Sequence, residues 1–404
     1  MRYFTFLLLF ASMLSGCIEE YEADISTEDS NLLVVEGTIC SGKLNKFTLT
    51  RTLPLSVDHE YMPYWTNETY GVNGIYTPYT QMVYGAAVSV RGSDGSEYRA
   101  EFERGCYECW IGELAPDVDY FLHIEADGEV YESEPQKPLR TEEIAAVVAV
   151  QNMPESDIDV LVTPEAPFEP DKVNYYTWTC EETWEVHSDY TTIVYFDTKK
   201  MKPGFDRNQF PHRGWIDTVA PDVTVGSSNN YDGQHIQRLK IYDIDRGDER
   251  MYYRYSGLLH QRAISKAEYE YELARRQASS EMGGLFTPQP SALPTNLRCL
   301  TSSKHVIGYV GCSLNTSEHR FFLDADDYNI YNPIREDTRL WIDNPKNSDC
   351  LRLIDNGMFL CDWIDHSMIP GGKVRAAWAF PYQLDVRYKG AYIEKPDFWP
   401  EGEE

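Results

Sequence analysis

GAAVSVRGSDGSEYRAEF, residues 85–102, is the stretch whose reading decides the fold. Val88 and Val90 alternate with Ser89 and Arg91, Tyr98 and Ala100 alternate with Arg99 and Glu101, and Ser93, Asp94 and Gly95 stand between the two runs. Successive side chains of an extended chain point to opposite faces, so alternation on both sides of a short polar turn predicts two antiparallel strands. DYFLHIEADGEVYESEP (119–135) repeats this grammar around Asp127 and Gly128. Upstream, NLLVVEGTIC (31–40) sets Leu33, Val35 and Gly37 against Val34 and Glu36, and KFTLTRTLPL (46–55) puts Phe47, Leu49 and Arg51 on one side. Several short strands separated by turn signals predict an immunoglobulin-like or transthyretin-like β-sandwich over residues 31–140. Its boundary is expected near Pro138–Glu143.

The remainder, 141–404, continues in the same style. IAAVVAVQ (144–151), DIDVLVTP (157–164), VNYYTWTCEETWEVH (173–187) and TTIVYF (191–196) all alternate; in the third, Tyr176, Trp178 and Cys180 share one face. HIQRLKIYDI (235–244) and MYYRYSGLL (251–259) follow, and then the segment that reads most clearly as a helix, near 266–282. Ser265 can cap its amides while Glu268 reaches back to complete a capping box. Tyr271, Ala274, Ala278 and Met282 mark one face at helical spacing, and Gly283 and Gly284 stop it. The fold class expected is therefore mainly β, with two sandwiches and one helix inserted in the second.

The N-terminus carries a different message. Arg2 precedes an apolar run from Phe4 to Ala11, and Leu14, Ser15 and Gly16 lead to Cys17. This is too short to span a bilayer, which takes about 20 residues, and has the anatomy of an export signal over residues 1–16. The order Leu14-Ser15-Gly16-Cys17 resembles a bacterial lipobox, in which the cysteine is acylated and becomes the first mature residue. Residues 17–30, with Glu19, Glu20, Glu22 and Asp24, are too polar to bury and read as an acidic tether. Across the 404 residues, 65 acidic against 36 basic side chains give a net charge of −29, which disfavours nucleic acid and anionic lipid surfaces as partners. Roughly two or three domains fit such a length.

YYRYSGLLHQRAISKAEYEYELARRQASSEMGGLFTPQPSALPTN (252–296), followed by HVIGYVGCS (305–313) and HRFFL (319–323), resembles the DUF4249 family of Bacteroidetes outer-membrane lipoproteins. VVEGTI (34–39) is similar to that family's first strand and KPDFW (395–399) to its ending. The family often carries cysteines shortly before that ending, whereas YQLDVRYKG (382–390) has none. The resemblance implies a surface lipoprotein, encoded beside TonB-dependent receptors, that binds, presents or scaffolds during nutrient uptake. It supplies no catalytic residues. It also implies that Glu19, Glu20, Glu22 and Asp24, just past Cys17, act as an export tag for the outer face of the outer membrane.

Chemistry is sparse. There is no G-x-S-x-G elbow, no H-E-x-x-H and no phosphate loop, and no cofactor or metal is expected. Paired carboxylates could serve a surface glycan or peptide hydrolase, but 65 acids always yield some pair at glycosidase spacing. Asp324, Asp326 and Asp327 open like a calcium loop, yet Asn329 and Arg335 stand where that loop needs glycine and glutamate. Asp362, Asp365 and His366 form a second loose cluster. Beyond Cys17 lie eight cysteines; closure of short loops favours Cys350 with Cys361 and Cys299 with Cys312, and Cys106 and Cys109 form a C-x-x-C read as structural or free thiols rather than a redox or metal site. The most suggestive segment is YMPYWTNETYGVNGIYTPYTQMVYG (61–85). Its Tyr61, Tyr64, Trp65, Tyr70, Tyr76 and Tyr79 either contact a glycan, peptide or protein, as in a transport accessory or an adhesin, or cover the sandwich.

Overall fold

The computed structural model describes residues 31–52, 80–206, 209–220, 224–280, 293–332 and 336–401. Cys17, Glu19, Glu20, Glu22, Asp24, the aromatic residues Tyr61–Tyr79, and Met282, Gly283 and Gly284 lie outside the described residues.

The N-terminal strands are β1 (Leu33–Cys40), β2 (Lys43–Thr52), β3 (Thr80–Met82), β4 (Ala87–Gly92), β5 (Glu97–Glu103), β6 (Cys106–Ile111), β7 (Tyr120–Ala126) and β8 (Glu129–Ser133). Both expected hairpins form, with Gly95 and Gly128 at the left-handed positions their turns require. Leu33, Val35, Phe47, Leu49, Val88 and Val90 are all buried in one core, as their alternation predicts. β5 bends between two halves of the sheet: Glu97–Ala100 pair with β4 and Glu101–Glu103 with β6.

Next come β9 (Ile144–Gln151), β10 (Ile158–Pro164), β11 (Tyr175–His187), β12 (Val194–Asp197), β13 (Lys202–Phe205), β14 (Arg213–Val219), β15 (Thr224–Ser227), β16 (Leu239–Ile244), β17 (Arg254–Ile264) and helix α1 (Lys266–Ser280). The chain then returns to the first unit with β18 (Leu297–Cys299) and β19 (Val306–Ser313), before β20 (Ser317–Asp324), β21 (Leu340–Asp343), β22 (Phe359–Asp365) and β23 (Val374–Ala379).

Residues 31–140 do not complete their own sheet. Its order is β18-β8-β7-β4-β5-β6-β2-β1-β19, with β3 beside β2. β19 runs parallel to β1 over eight residues, from Leu33 opposite Val306 to Cys40 opposite Ser313. The two end strands then meet through side chains, since Asn296 exchanges two 2.9 Å hydrogen bonds with the backbone of Val310 and the Thr295 hydroxyl reaches the Gly308 carbonyl at 2.7 Å. The result is a nearly closed barrel. Gly308 makes the approach of β19 to β1 feasible: its φ is +128°, and a Cβ there would sit 2.0 Å from the Val35 carbonyl oxygen.

The second unit holds a five-stranded sheet, β14-β11-β17-β20 with β15 also on β11, and a three-stranded sheet, β16-β10-β9. Tyr176, Trp178 and Cys180 of β11 pack with Ile158, Val160, Tyr255 and Leu259. A small sheet, β21-β23-β22, and a helix, Asn347–Asp355, follow near the C-terminus. The protein is thus mainly β, as expected. The Asn347–Asp355 helix was not anticipated, although Cys350, Leu353 and Ile354 give it an apolar stripe and Asp349 accepts the Lys346 N–H at 3.1 Å.

All eight described cysteines are free thiols, so neither expected disulfide is made. Cys350 packs with Leu360 and Trp378, whereas Cys361, one residue on from Leu360, faces the opposite side of β22 with Ala377 and Ala379. Short sequence separation does not help when a strand sends neighbours to opposite faces. Cys312 is buried inside the barrel, while Cys299 is half-buried against the Thr301 and Ser302 hydroxyls. Cys106 and Cys109 are three apart on β6, which puts Cys109 in the core and Cys106 on the other face, and so separates the C-x-x-C thiols.

Candidate functional site

The β8–β9 connection crosses from the barrel to the second unit and is pinned on both sides. Leu139 N–H donates to the Cys312 carbonyl at 3.0 Å, and Thr141 exchanges backbone bonds with the Asn315 side chain at 2.9 Å. The Thr141 hydroxyl also accepts the Ala263 N–H of β17 at 3.0 Å. Opposite runs the β10–β11 connection, and the start of α1 forms the third wall. Between them lies a cleft of about 420 Å³, bordered by Arg140, Glu142, Phe168, Lys172, Tyr175 and Lys266.

The carboxylates of the cleft are already engaged. Glu142, 4% exposed, accepts the Phe168 N–H at 3.0 Å and the Tyr176 hydroxyl at 2.8 Å. Its carbonyl accepts Gln261 Nε2 at 2.7 Å, and Gln261 Oε1 accepts the Trp178 indole N–H at 2.9 Å. Burial, reinforced by the Glu142 charge, pushes the Tyr176 phenol well above its ordinary range, so it remains a donor. Glu169 holds Lys172 at 2.8 Å on the exposed rim. Arg140 differs: its guanidinium lies 4.0 Å over the Phe168 ring and has no carboxylate partner among the described residues.

Beneath the cleft, α1 begins as expected in one respect and not in the other. Ser265 Oγ accepts the Glu268 N–H at 3.1 Å, which is the predicted cap. Glu268 does not complete the box. Its carboxylate turns to Arg262 of β17, at 2.5 and 3.2 Å, and the pair, with Glu268 buried and Arg262 largely so, lies against Gly311 of β19. A buried guanidinium outcompetes a neutral backbone N–H for a carboxylate. Tyr271 is buried with its ring 5.7 Å from that of Tyr309, and Tyr269 packs at 5.0 Å from Tyr175 of β11. Ala274 and Ala278 on the same face are half-buried. One helix therefore grips both units.

The acidic clusters do not converge. Asp324 pairs with Arg254, and Asp326 and Asp327 sit in an exposed turn. Asp362 faces Arg339 at 3.7 Å, and Asp365 accepts the Ser367 N–H at 2.9 Å. Among the described residues no group of three His, Cys, Asp or Glu is placed to hold a metal ion. The chain leaves the described residues after Thr52 and re-enters at Thr80, which pair with each other. Close to that re-entry Tyr84, Phe102 and Tyr107 form a ladder of edge-on rings at 5.3 and 5.1 Å, with Tyr84 71% exposed.

At the far end of β11, Ser188 Oγ lies 2.6 Å from His212 Nδ1, a contact that no sequence motif announces. It does not make a nucleophile. Ser188 is buried and donates its hydroxyl to the Tyr190 carbonyl at 2.9 Å, so His212 donates to it. Burial, then the neighbouring His187 and Lys389, lower the His212 pKa to about 4. Its unfolded value is about 6.5, so its contribution to stability is present above that pH and is lost as pH falls through about 4. We expect the urea midpoint of the wild type to drop between those limits, and that of His212→Asn to show a shallower slope. Parallel pH curves for the two proteins would refute this assignment.

A barrel sealed by a distant strand, joined by one helix to a second β unit, defines a mainly β protein with a cleft at the junction. Residues 18–319 match the family described as Domain of unknown function (DUF4249), and the chain belongs to that family. The match covers the barrel, the junction and α1 and ends within β20; the β21–β23 sheet and the KPDFW segment lie beyond it. No curated protein matches the chain.

Proposed function

We propose that this protein is a lipid-anchored lipoprotein of the outer membrane, facing the cell exterior. There it serves as a non-enzymatic accessory to a TonB-dependent nutrient uptake system. The carrying observation is the composition of the junction cleft. Glu142 and Glu169 are committed to internal bonds, while a guanidinium 4.0 Å from a ring centroid and an apolar lining are left for a visitor. That is an inventory for binding rather than for acid–base work. Two further features support the location: Leu14-Ser15-Gly16-Cys17 has lipobox order, and the family match begins at the next residue. The exposed Tyr84–Phe102 pair, close in sequence to the aromatic segment 61–79, suits a partner-facing edge.

Crosslinking of intact cells, detergent solubilisation and affinity purification are expected to recover a TonB-dependent transporter with the tagged protein; a clean monomer would overturn the accessory role. Cys17→Ser is expected to abolish fatty-acyl labelling and move most of the protein out of the membrane fraction, since several buried acyl chains are what hold such a protein. Retention of the variant in washed membranes would count against the anchor, and protection of the wild type from added protease would place it on the inner leaflet.

A further inference from the structure

We infer that the junction cleft is a receptor site for a carboxylate carried on a small body that presents an apolar face. This rests on the reading of the protein as a binding accessory and specifies what it binds. Acids outnumber bases 65 to 36 in the whole chain, so an arbitrary recess should be acidic. Here Arg140, Lys172 and Lys266 arrive from three separate segments against two carboxylates. Glu142 is turned inward to Tyr176 and the Phe168 N–H, and Glu169 is held by Lys172. Lys266 meets Glu270, 3.5 Å away on its exposed helix face. The residues that line the cleft thus count three cations to two carboxylates, on a chain of net charge −29.

Arg140 supplies the recognition geometry. The guanidinium carbon lies 4.0 Å from the centroid of the Phe168 ring, a contact that restrains the side chain, while the N–H donors lie along the guanidinium edge. A planar fork held this way matches the two oxygens of a carboxylate, and fixing it in advance lowers the entropy lost on binding. Remote acids do little to oppose the ligand, because their field is screened over about 8 Å at physiological ionic strength. Leu139, Val173 and Ile264 add apolar lining, and about 420 Å³ falls within the range of small-ligand sites. A body of two or three amino-acid residues, or one to two sugar rings, is of suitable size. The shared chemistry is the carboxylate, and its source is either a peptide C-terminus or a uronic acid.

The test uses the full-length protein in detergent and isothermal titration with three probes: the tripeptide Ala-Leu-Phe with a free C-terminus, its C-terminal amide, and glucuronate. At least one carboxylate probe is expected to bind. Stronger binding by the peptide assigns a peptide source and stronger binding by glucuronate a sugar-acid source. The amide is expected to bind at least tenfold more weakly than the free peptide if the peptide is the ligand. Arg140→Gln should weaken the carboxylate probe at least tenfold, and Arg140→Lys by less, with the melting temperature unchanged because the side chain is exposed. Absence of binding by both carboxylates, equal binding of peptide and amide where the peptide binds, or unaltered binding by Arg140→Gln would overturn the inference. Each of those results leaves the accessory role standing, since co-purification with a transporter tests that role independently.

Discussion

Arg262→Ala is expected to remove about 3–5 kcal/mol of stability, because it strands a buried carboxylate. Glu268 is 4% exposed and has Arg262 as its counter-charge, with contacts at 2.5 and 3.2 Å. Gly311 closes over the pair so tightly that a Cβ there would stand 2.5 Å from a Glu268 oxygen and 2.8 Å from Arg262 Nη1. Little water can enter to solvate a lone charge. Glu268→Ala should cost a similar amount by stranding the guanidinium, whereas Arg262→Met with Glu268→Leu should recover most of the loss, since well-packed apolar groups often replace a buried ion pair without penalty. Urea denaturation of the four proteins measures this. Single variants losing less than about 1 kcal/mol would mean that the charges reach solvent, and that the helix is not keyed to β17 and β19 through them.

Gly308→Ala is expected to be at least as damaging, for a backbone reason. A side chain at φ +128° is strained wherever it occurs, and this one would also drive a methyl to 2.0 Å from the Val35 carbonyl oxygen. Val35 and Gly308 are register partners in the parallel β1–β19 ladder, so the strands must part to make room. A loss of about 4 kcal/mol or more follows from combining strain with broken pairing. Its signature should be local: faster hydrogen exchange across Leu33–Cys40 and Val306–Ser313, with β9–β11 amides little changed. Uniformly accelerated exchange, or none, would show that the seam is not held there.

The features legible in the sequence were those with short-range causes. The Ser93–Gly95 and Asp127–Gly128 hairpins carry their turn and both flanks within a few residues, and both form as read. Barrel closure has no such signature. β18 is only three residues long, and HVIGYVGCS contains nothing that names β1 as its partner across more than 260 residues. The capping box failed for the same reason inverted. A correct local rule assigned Glu268 to its own helix, and a strand residue six positions earlier, Arg262, took the carboxylate instead. Arg140 and Phe168 went unnoticed because both lie in connections without periodicity. The available signals were a cation at the expected domain boundary and an apolar ring in the acidic stretch EAPFEPD.

The parallel pairing of β1 with β19 also sets an order of events. A barrel whose first strand waits for residues 306–313 cannot finish until most of the polypeptide has been synthesised. Until then β1 presents an unsatisfied edge, open to pairing with another chain. The fold therefore has high contact order at its N-terminal strand, and such closures are slow. A fragment stopped at residue 140 should aggregate rather than behave as an isolated domain. In the cell, the nascent chain needs protection at its N-terminal strand until residues 306–313 have arrived.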